Sequence, residues 1–200
     1  MTSSAQNQSQ GTGLGQGKAS RKGFYGKYRG MVVENVDPER RGRIRASVPD
    51  VFGEFESGWA LPSLPAVSLA SGIFTLPGIG ASVWIEFEQG DPEFPIWSGG
   101  FWQTAAEVPP LAALGPPTQM VLQTALGNAL CLDDEQGGAS LQTSAGHTIQ
   151  LNAAGITLMT SSGAMLVIDA TGIKMLSGKG GMLTIMGSIV EINGGALRVI

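Results

Sequence analysis

Two hydrophobic rhythms divide this chain. Between residues 24 and 102, short runs of alternating apolar and polar positions are separated by text rich in Asn, Asp, Pro and Gly. Alternation at a period of two predicts half-buried strands, and those residue types predict the turns between them. Tyr28–Glu34 reads as a strand, residues 35–42 as a turn, and residues 43–48 as a second strand ending at Pro49. Residues 59–61 form a short extended piece. In residues 81–88, Val83, Ile85 and Phe87 fall on one face and Trp84, Glu86 and Glu88 on the other. Residues 89–93 turn the chain back into a last strand at 95–98. Five short strands without a helical window predict a small Greek-key barrel of the five-stranded OB type.

From residue 119 onward the rhythm is a repeat. Glycines 127, 138, 146, 155, 163, 172, 181, 187 and 195 each lead a run of a few extended residues, usually at intervals of eight or nine. Glycine permits the corner, and a unit this short cannot bury its apolar side alone, so it must stack. Coiled as a single chain with three faces, nine units would give only about three turns and leave two open ends. Three chains wound together, each supplying one wall, remove that problem. The expected fold is therefore all-β: an OB-fold Greek-key barrel at residues 23–104, then an intertwined triple-stranded β-helix, or β-prism, at 119–200. Ile149, Leu151, Ile156, Leu158, Leu166, Ile168, Ile173 and Met175 alternate within their units and are read as the core of the trimer axis. The methionines at 159, 165, 175, 182 and 186 are read as fillers of that same core.

Residues 105–118 hold four prolines and read as an extended linker. Residues 1–22 are low-complexity and polar, a flexible arm carrying Lys18, Arg21 and Lys22 and no acid. Residues 31–119 carry eleven acids against four arginines. A basic arm on an acidic body reads as a solvated tail. The first twenty residues hold no apolar stretch of a secretory signal, and no apolar run suits a membrane helix. One cysteine, Cys131, excludes an intrachain disulfide and reads as a small buried hydrophobe.

The chemistry-bearing residues are sparse. His147 is the single histidine, without a ligand partner at metal spacing, so it reads as a surface residue and no metal is expected. No serine lies in a nucleophile elbow, and neither Gly-x-Gly run leads from a strand into a helix. Glu54, Glu56, Glu86, Glu88, Asp91 and Glu93 are the carboxylates that a wall-cleaving enzyme would need, but nothing marks one for an apolar pocket. Arg40, Arg41, Arg43 and Arg45 cluster as a nucleic-acid face would, on a domain that is acidic overall. An envelope-degrading enzyme and a single-strand-binding OB protein are thus the alternatives to a structural role. Neither catalysis, a cofactor nor nucleic acid is expected.

The barrel text carries a specific order of residues. Gly30-Met-Val32 is followed by Asp37-Pro-Glu-Arg-Arg-Gly-Arg43-Ile, by Trp59, and by Pro77-Gly-Ile-Gly80 with Val83, Ile85 and Phe87-Glu-Gln-Gly-Asp91. Pro95-Ile-Trp-Ser-Gly99 completes it. This order resembles the phage baseplate assembly protein V family, whose barrel is shared with the VgrG proteins of type VI secretion. The C-terminal repeat is similar to the trimeric β-prism of such spikes. The resemblance implies a homotrimer in the baseplate of a virion tail or an injection machine assembled in the cytoplasm. It implies a needle driven through the target envelope, and no reaction. The hub domain fused to the barrel in VgrG proteins is missing, which implies a separate trimeric hub, with Lys18, Arg21 and Lys22 on the hub side. Some related spikes end in a His-x-His apex that binds iron. This sequence ends Ala-Leu-Arg-Val-Ile200. A blunt apolar apex is expected instead, with Leu197, Val199 and Ile200 receiving a PAAR-type tip protein.

Overall fold

The structure is a computed structural model that describes residues 23–199, so Lys18, Arg21, Lys22 and Ile200 lie outside the described residues. The chain divides into two compact units, Met1–Gln103 and Thr104–Ile200.

The first unit is built on β1 (Tyr28–Glu34), β2 (Arg45–Ser47), β3 (Leu61–Pro62), β6 (Ser82–Phe87) and β7 (Pro95–Gly100), in the sheet order β2-β1-β6-β7-β3. All ladders are antiparallel except β3 on β7. An antiparallel bridge from Ile44 to Ala60 joins the two ends of that order and closes the barrel. Register shifts in β1 and between β6 and β7 mark the bulges that let so small a sheet curl. Val83, Ile85 and Phe87 point inward as their alternation predicts, and join Val32, Ile44, Ala46, Val48, Ala60 and Trp97 in one core. Phe24, Tyr28 and Phe52 close it against the Phe87 ring at centroid distances of 5.5–6.1 Å.

Two elements of this unit escape the sequence pattern. Pro49 does not merely end a strand: it opens α1 (Pro49–Phe52), at the helix start where its missing N–H costs nothing. A hairpin of β4 (Val67–Ser68) and β5 (Ser71–Gly72) is exposed on both faces, so it has no alternation to read.

The second unit opens with a 3-10 turn at Ala105–Glu107 and then a short helix, α2 (Pro110–Leu114). This corrects the extended reading of the proline-rich segment. Pro110 occupies the first turn, and Leu-Ala-Ala-Leu behind it are good helix formers. Ten strands follow: β8 (Gln119–Gln123), β9 (Ala129–Asp133), β10 (Gly138–Gln142), β11 (Thr148–Asn152), β12 (Gly155–Met159), β13 (Met165–Asp169), β14 (Gly172–Leu176), β15 (Met182–Met186), β16 (Ile189–Ile192) and β17 (Leu197–Val199). Each pairs antiparallel with the next in strict chain order. The nine glycine-led units of the sequence are β9 to β17. Strands two to nine of this meander find both ladder partners within their own chain. The ladder of each wall is supplied there by one chain alone.

The turns alternate between two chemistries. On one edge, Thr124, Thr143, Thr160 and Ser177 each accept, at the side-chain oxygen, the N–H of the residue four further on, at 2.9–3.2 Å. On the other edge, Asp133, Asn152 and Asp169 accept N–H groups two or three residues on, at 2.7–3.2 Å. Such side-chain caps fix the turn without help from the neighbouring strand. Thr143, Thr160 and Ser177 recur every 17 residues, as do Asn152 and Asp169. The structural repeat is therefore the two-strand hairpin, twice the interval between glycines.

Candidate functional site: an unpartnered aliphatic face

The signature residues of the barrel converge on one loop. The Asp37 carboxylate accepts backbone N–H groups from Glu39 and Arg41 at 2.9 and 2.7 Å, and the Arg43 guanidinium at 2.6 Å. The Arg43 guanidinium beside it holds the Asp37 carboxyl far below the usual range, against the opposing effect of burial, and the loop N–H groups add to this. Arg43 also lies over the Trp59 ring, 5.6 Å from its centroid. The Trp97 indole N–H donates to the Gly42 carbonyl at 3.0 Å, tying the last strand to the same loop. Asp37, Gly42, Arg43, Trp59 and Trp97 hold one another, and their geometry accounts for the spacing of the motif through folding alone.

Of the residues that catalysis or nucleic acid would need, three of the four clustered arginines are held in ion pairs, while Arg40 is exposed. Arg43 pairs with Asp37 and Glu39, Arg41 with Glu39, and Arg45 with Glu34 and Glu56 at 3.3 and 3.0 Å. Glu86 binds Lys27 and accepts from Ser98, and the ammonium lowers its carboxyl from the ordinary value. Glu54, Glu56, Glu88 and Glu93 are exposed. Every carboxyl displaced from its ordinary value, Asp37, Glu86, Asp133 and Asp169, is displaced downward, opposite to what a general acid needs. His147 is exposed, its Nδ1 accepting the Ser161 N–H at 3.2 Å. Cys131 is buried in β9. Among the described residues no group of three or more His, Cys, Asp or Glu gathers to hold a metal ion, and no helix is long and apolar enough to cross a membrane.

The meander presents the larger feature. The ladder aligns Leu122, Leu130, Leu141, Ile149, Leu158, Leu166, Met175, Leu183, Ile192 and Leu197 in one column across all ten strands. A second column on the same face runs Met120, Leu132, Ala139, Leu151, Ile156, Ile168, Ile173, Ile185 and Val190. No polar side chain interrupts either column. All eight residues singled out in the sequence, Ile149 to Met175, lie in these columns. The remainder, from Met120 to Leu141 and from Leu183 to Ile192, were missed although the same alternation marks them. The face is left open: Leu122 is 63% exposed, Leu151 47% and Met175 45%. Leu197 ends the first column at 56% exposure, and Val199 pairs with Val190 in β17.

The opposite face is mostly polar along its middle from β10 onward, with Ser140, Gln150, Thr157, Lys174, Thr184 and Glu191 in register and Val167 the one apolar member between Thr157 and Lys174. The methionines correct the sequence reading here. Of the five methionines at 159, 165, 175, 182 and 186, Met175 alone shares the aliphatic face; Met159, Met165, Met182 and Met186 occupy the other parity and point away from it.

A closed barrel followed by a meander that leaves its aliphatic face open defines a two-part all-β chain whose C-terminal half offers a surface for assembly. Residues 28–102 match the type VI secretion system/phage-baseplate injector OB domain. Residues 119–161 and 153–198 each match the phage baseplate V C-terminal trimerisation domain, an overlapping double match that fits a hairpin repeat. The chain belongs to the phage baseplate V family of VgrG-like spike proteins. It is a baseplate spike component of a phage tail or type VI injection machine, and its C-terminal domain makes it a homotrimer. No curated protein matches the chain.

Proposed function

We propose that three chains close their aliphatic faces on a common threefold axis to form a needle that pierces the target envelope without catalysing a reaction. Ile149, Leu151, Ile156, Leu158, Leu166, Ile168, Ile173 and Met175 pack on that axis. The observation that carries the reading is the uninterrupted, half-exposed aliphatic face: a contiguous apolar surface of this extent is not stable facing water. Antiparallel ladder bonds run perpendicular to the strands, so in a wall stacked along the axis they lie along the direction of thrust. Ten strands at the usual spacing give a wall roughly 40–45 Å tall. The needle links a separate trimeric hub, met by the basic arm with Lys18, Arg21 and Lys22, to a PAAR-type tip seated on Leu197, Val199 and Ile200. The engaged arginines and the lowered carboxyls support this reading over nucleic-acid binding or envelope hydrolysis.

Solution mass and shape, from light scattering with sedimentation, test it. The intact chain is expected as an elongated trimer. Ile168→Asp places three carboxylates on the axis, each costing several kcal/mol to bury, and the trimer is expected to dissociate. A trimer that survives Ile168→Asp unchanged would exclude the axis. A tip protein that still binds Leu197→Asp would exclude the apex.

A further inference from the structure

The axis leaves one apolar surface unexplained. On the face turned away from the aliphatic columns, Met159, Met165, Leu176 and Met182 are successive cross-strand neighbours through β12 to β15. Met159 is 40% exposed and Met182 36%. The same column in β8 to β11 holds Gln123, Ala129, Gln142 and Thr148, so the change from polar to apolar falls halfway along the wall. This column lies at the strand ends beside the Thr/Ser-capped turns. The largely apolar surface continues round that edge, since one hollow is lined both by Ile149, Leu158 and Leu166 and by Met159, Met165 and Leu176, with His147, Thr148 and Thr160 beside them.

Threefold symmetry says what can meet it. The two edges of each wall differ, and a ring of three identical walls uses head-to-tail contacts, so the Thr/Ser-turn edge of one wall must meet the Asx-turn edge of the next. On that second edge Gly138, Gly155 and Gly172 open β10, β12 and β14 and alternate in register with Asp133, Asn152 and Asp169, whose side-chain oxygens are taken up by their own turns, so the strip has notches of bare backbone at the glycines. Flexible thioethers suit such a strip, because they adapt to backbone relief at little cost. We propose that the Asx-turn edge of the neighbouring protomer overlaps the Met159–Met182 column, so that each seam of the needle is sealed by methionine along β12 to β15. The partner is a second copy of this chain, through a surface continuous with the aliphatic face, and the inference rests on the axis reading above.

Methionine oxidation reads both surfaces in one experiment, since the rate at which a thioether becomes a sulfoxide follows its exposure. The intact protein would be treated with dilute hydrogen peroxide, and each methionine followed by peptide mass spectrometry against the urea-unfolded chain. Met175, on the axis, and Met159, Met165 and Met182, in the seam, are all expected to react at least about tenfold more slowly than when unfolded. Protection of Met175 with Met159, Met165 and Met182 reacting at the unfolded rate would overturn the seam and leave the axis standing. Rapid reaction of all four would overturn both. As a second readout, Met165→Lys with Met182→Lys is expected to lower the trimer's dissociation temperature, whereas Gln142→Lys, in the polar half of the same column, leaves it unchanged. Equal effects from the two changes would also overturn the seam.

Discussion

The barrel and the meander solve the same problem, hiding apolar side chains, in opposite ways. The barrel curls on itself: its strands are uneven, two ladders are bulged, and Val32, Ile44, Val83 and Ile85 are fully buried within one chain. The meander is regular and keeps no such core, because most of its long aliphatic side chains are on one open face. Irregularity in the barrel is specific, each motif residue holding a particular neighbour. Regularity in the meander is generic, each hairpin interchangeable with the next. A structure of the first kind tolerates little change anywhere, and one of the second kind tolerates change in units of its repeat.

The sharpest way to break that contrast is to change the meander by one repeat or by half of one. Removing residues 144–160, which are 17 residues, joins Thr143 to Ser161 and recreates a Thr-x-x-Gly turn, with β11 and β12 gone. The trimer is expected to persist, shortened by two strand spacings, or about 10 Å. Removing residues 153–160 deletes β12 alone and gives Asn152 the place of Thr160, which pairs with Ala164 in the intact chain. Leu151 would then face Met165, and Leu166 and Ile168 would turn to the polar side, since a shift of one residue inverts every side chain that follows. No soluble trimer is expected. Electron microscopy and solution mass distinguish the outcomes, and equal tolerance of both deletions would refute the two-strand repeat.

How far these features could be read from sequence follows from the same contrast. Nine of the ten meander strands carry a leading glycine and were visible; β8 has none, and its alternation Met120, Leu122 went unassigned. The interval of eight or nine was correct for strands but hid the repeat, because Thr-x-x-Gly and Asx-turn corners both end in glycine. The methionines were misplaced because their type was weighed and their parity was not: Leu158 and Met159 are adjacent and must face opposite ways. In the barrel, the alternation of β6 was plain. The Asp37 network was not, since a carboxylate held by Arg43 and three loop N–H groups has no periodic trace. The hairpin at 67–72 was invisible for want of a buried face.

A smaller perturbation tests whether the meander's corners are as fixed as its faces. Gly172 has φ of +141°, and a Cβ there would overlap the Ile185 carbonyl oxygen of the adjacent strand; Gly155, at +139°, stands in the same relation to Ile168. Few L-residues adopt that backbone, at a cost of about 1–3 kcal/mol. Gly172→Ala is expected to lower the dissociation temperature of the trimer while leaving the barrel's own unfolding unchanged. Trp59, Trp84, Trp97 and Trp102 all lie in the barrel unit, so tryptophan fluorescence reports that unit and circular dichroism reports mainly the meander. A parallel fall in both signals would mean that the two units unfold together.

The gentlest test uses pH. The Asp37 carboxyl titrates well below its unfolded value because the folded state holds its anion. Below the unfolded carboxylate range, near pH 4, the unfolded chain therefore binds a proton that the folded chain refuses. The stabilisation is complete above that range and drains away as the pH falls through it. The barrel's melting temperature, followed by fluorescence, is expected to decline steadily from about pH 5 to pH 3. Asp169, lowered by the Thr171 hydroxyl and N–H, gives the meander a decline of the same sign. Asp37→Asn removes the ionisable group while keeping one acceptor oxygen, so it is expected to lower the barrel's melting temperature at pH 7 and to flatten its dependence on acid. The meander's dependence would remain as before. If Asp37→Asn leaves the barrel's acid slope intact, the loop around Arg43 is held by its backbone, and the carboxylate is not what fixes the signature spacing.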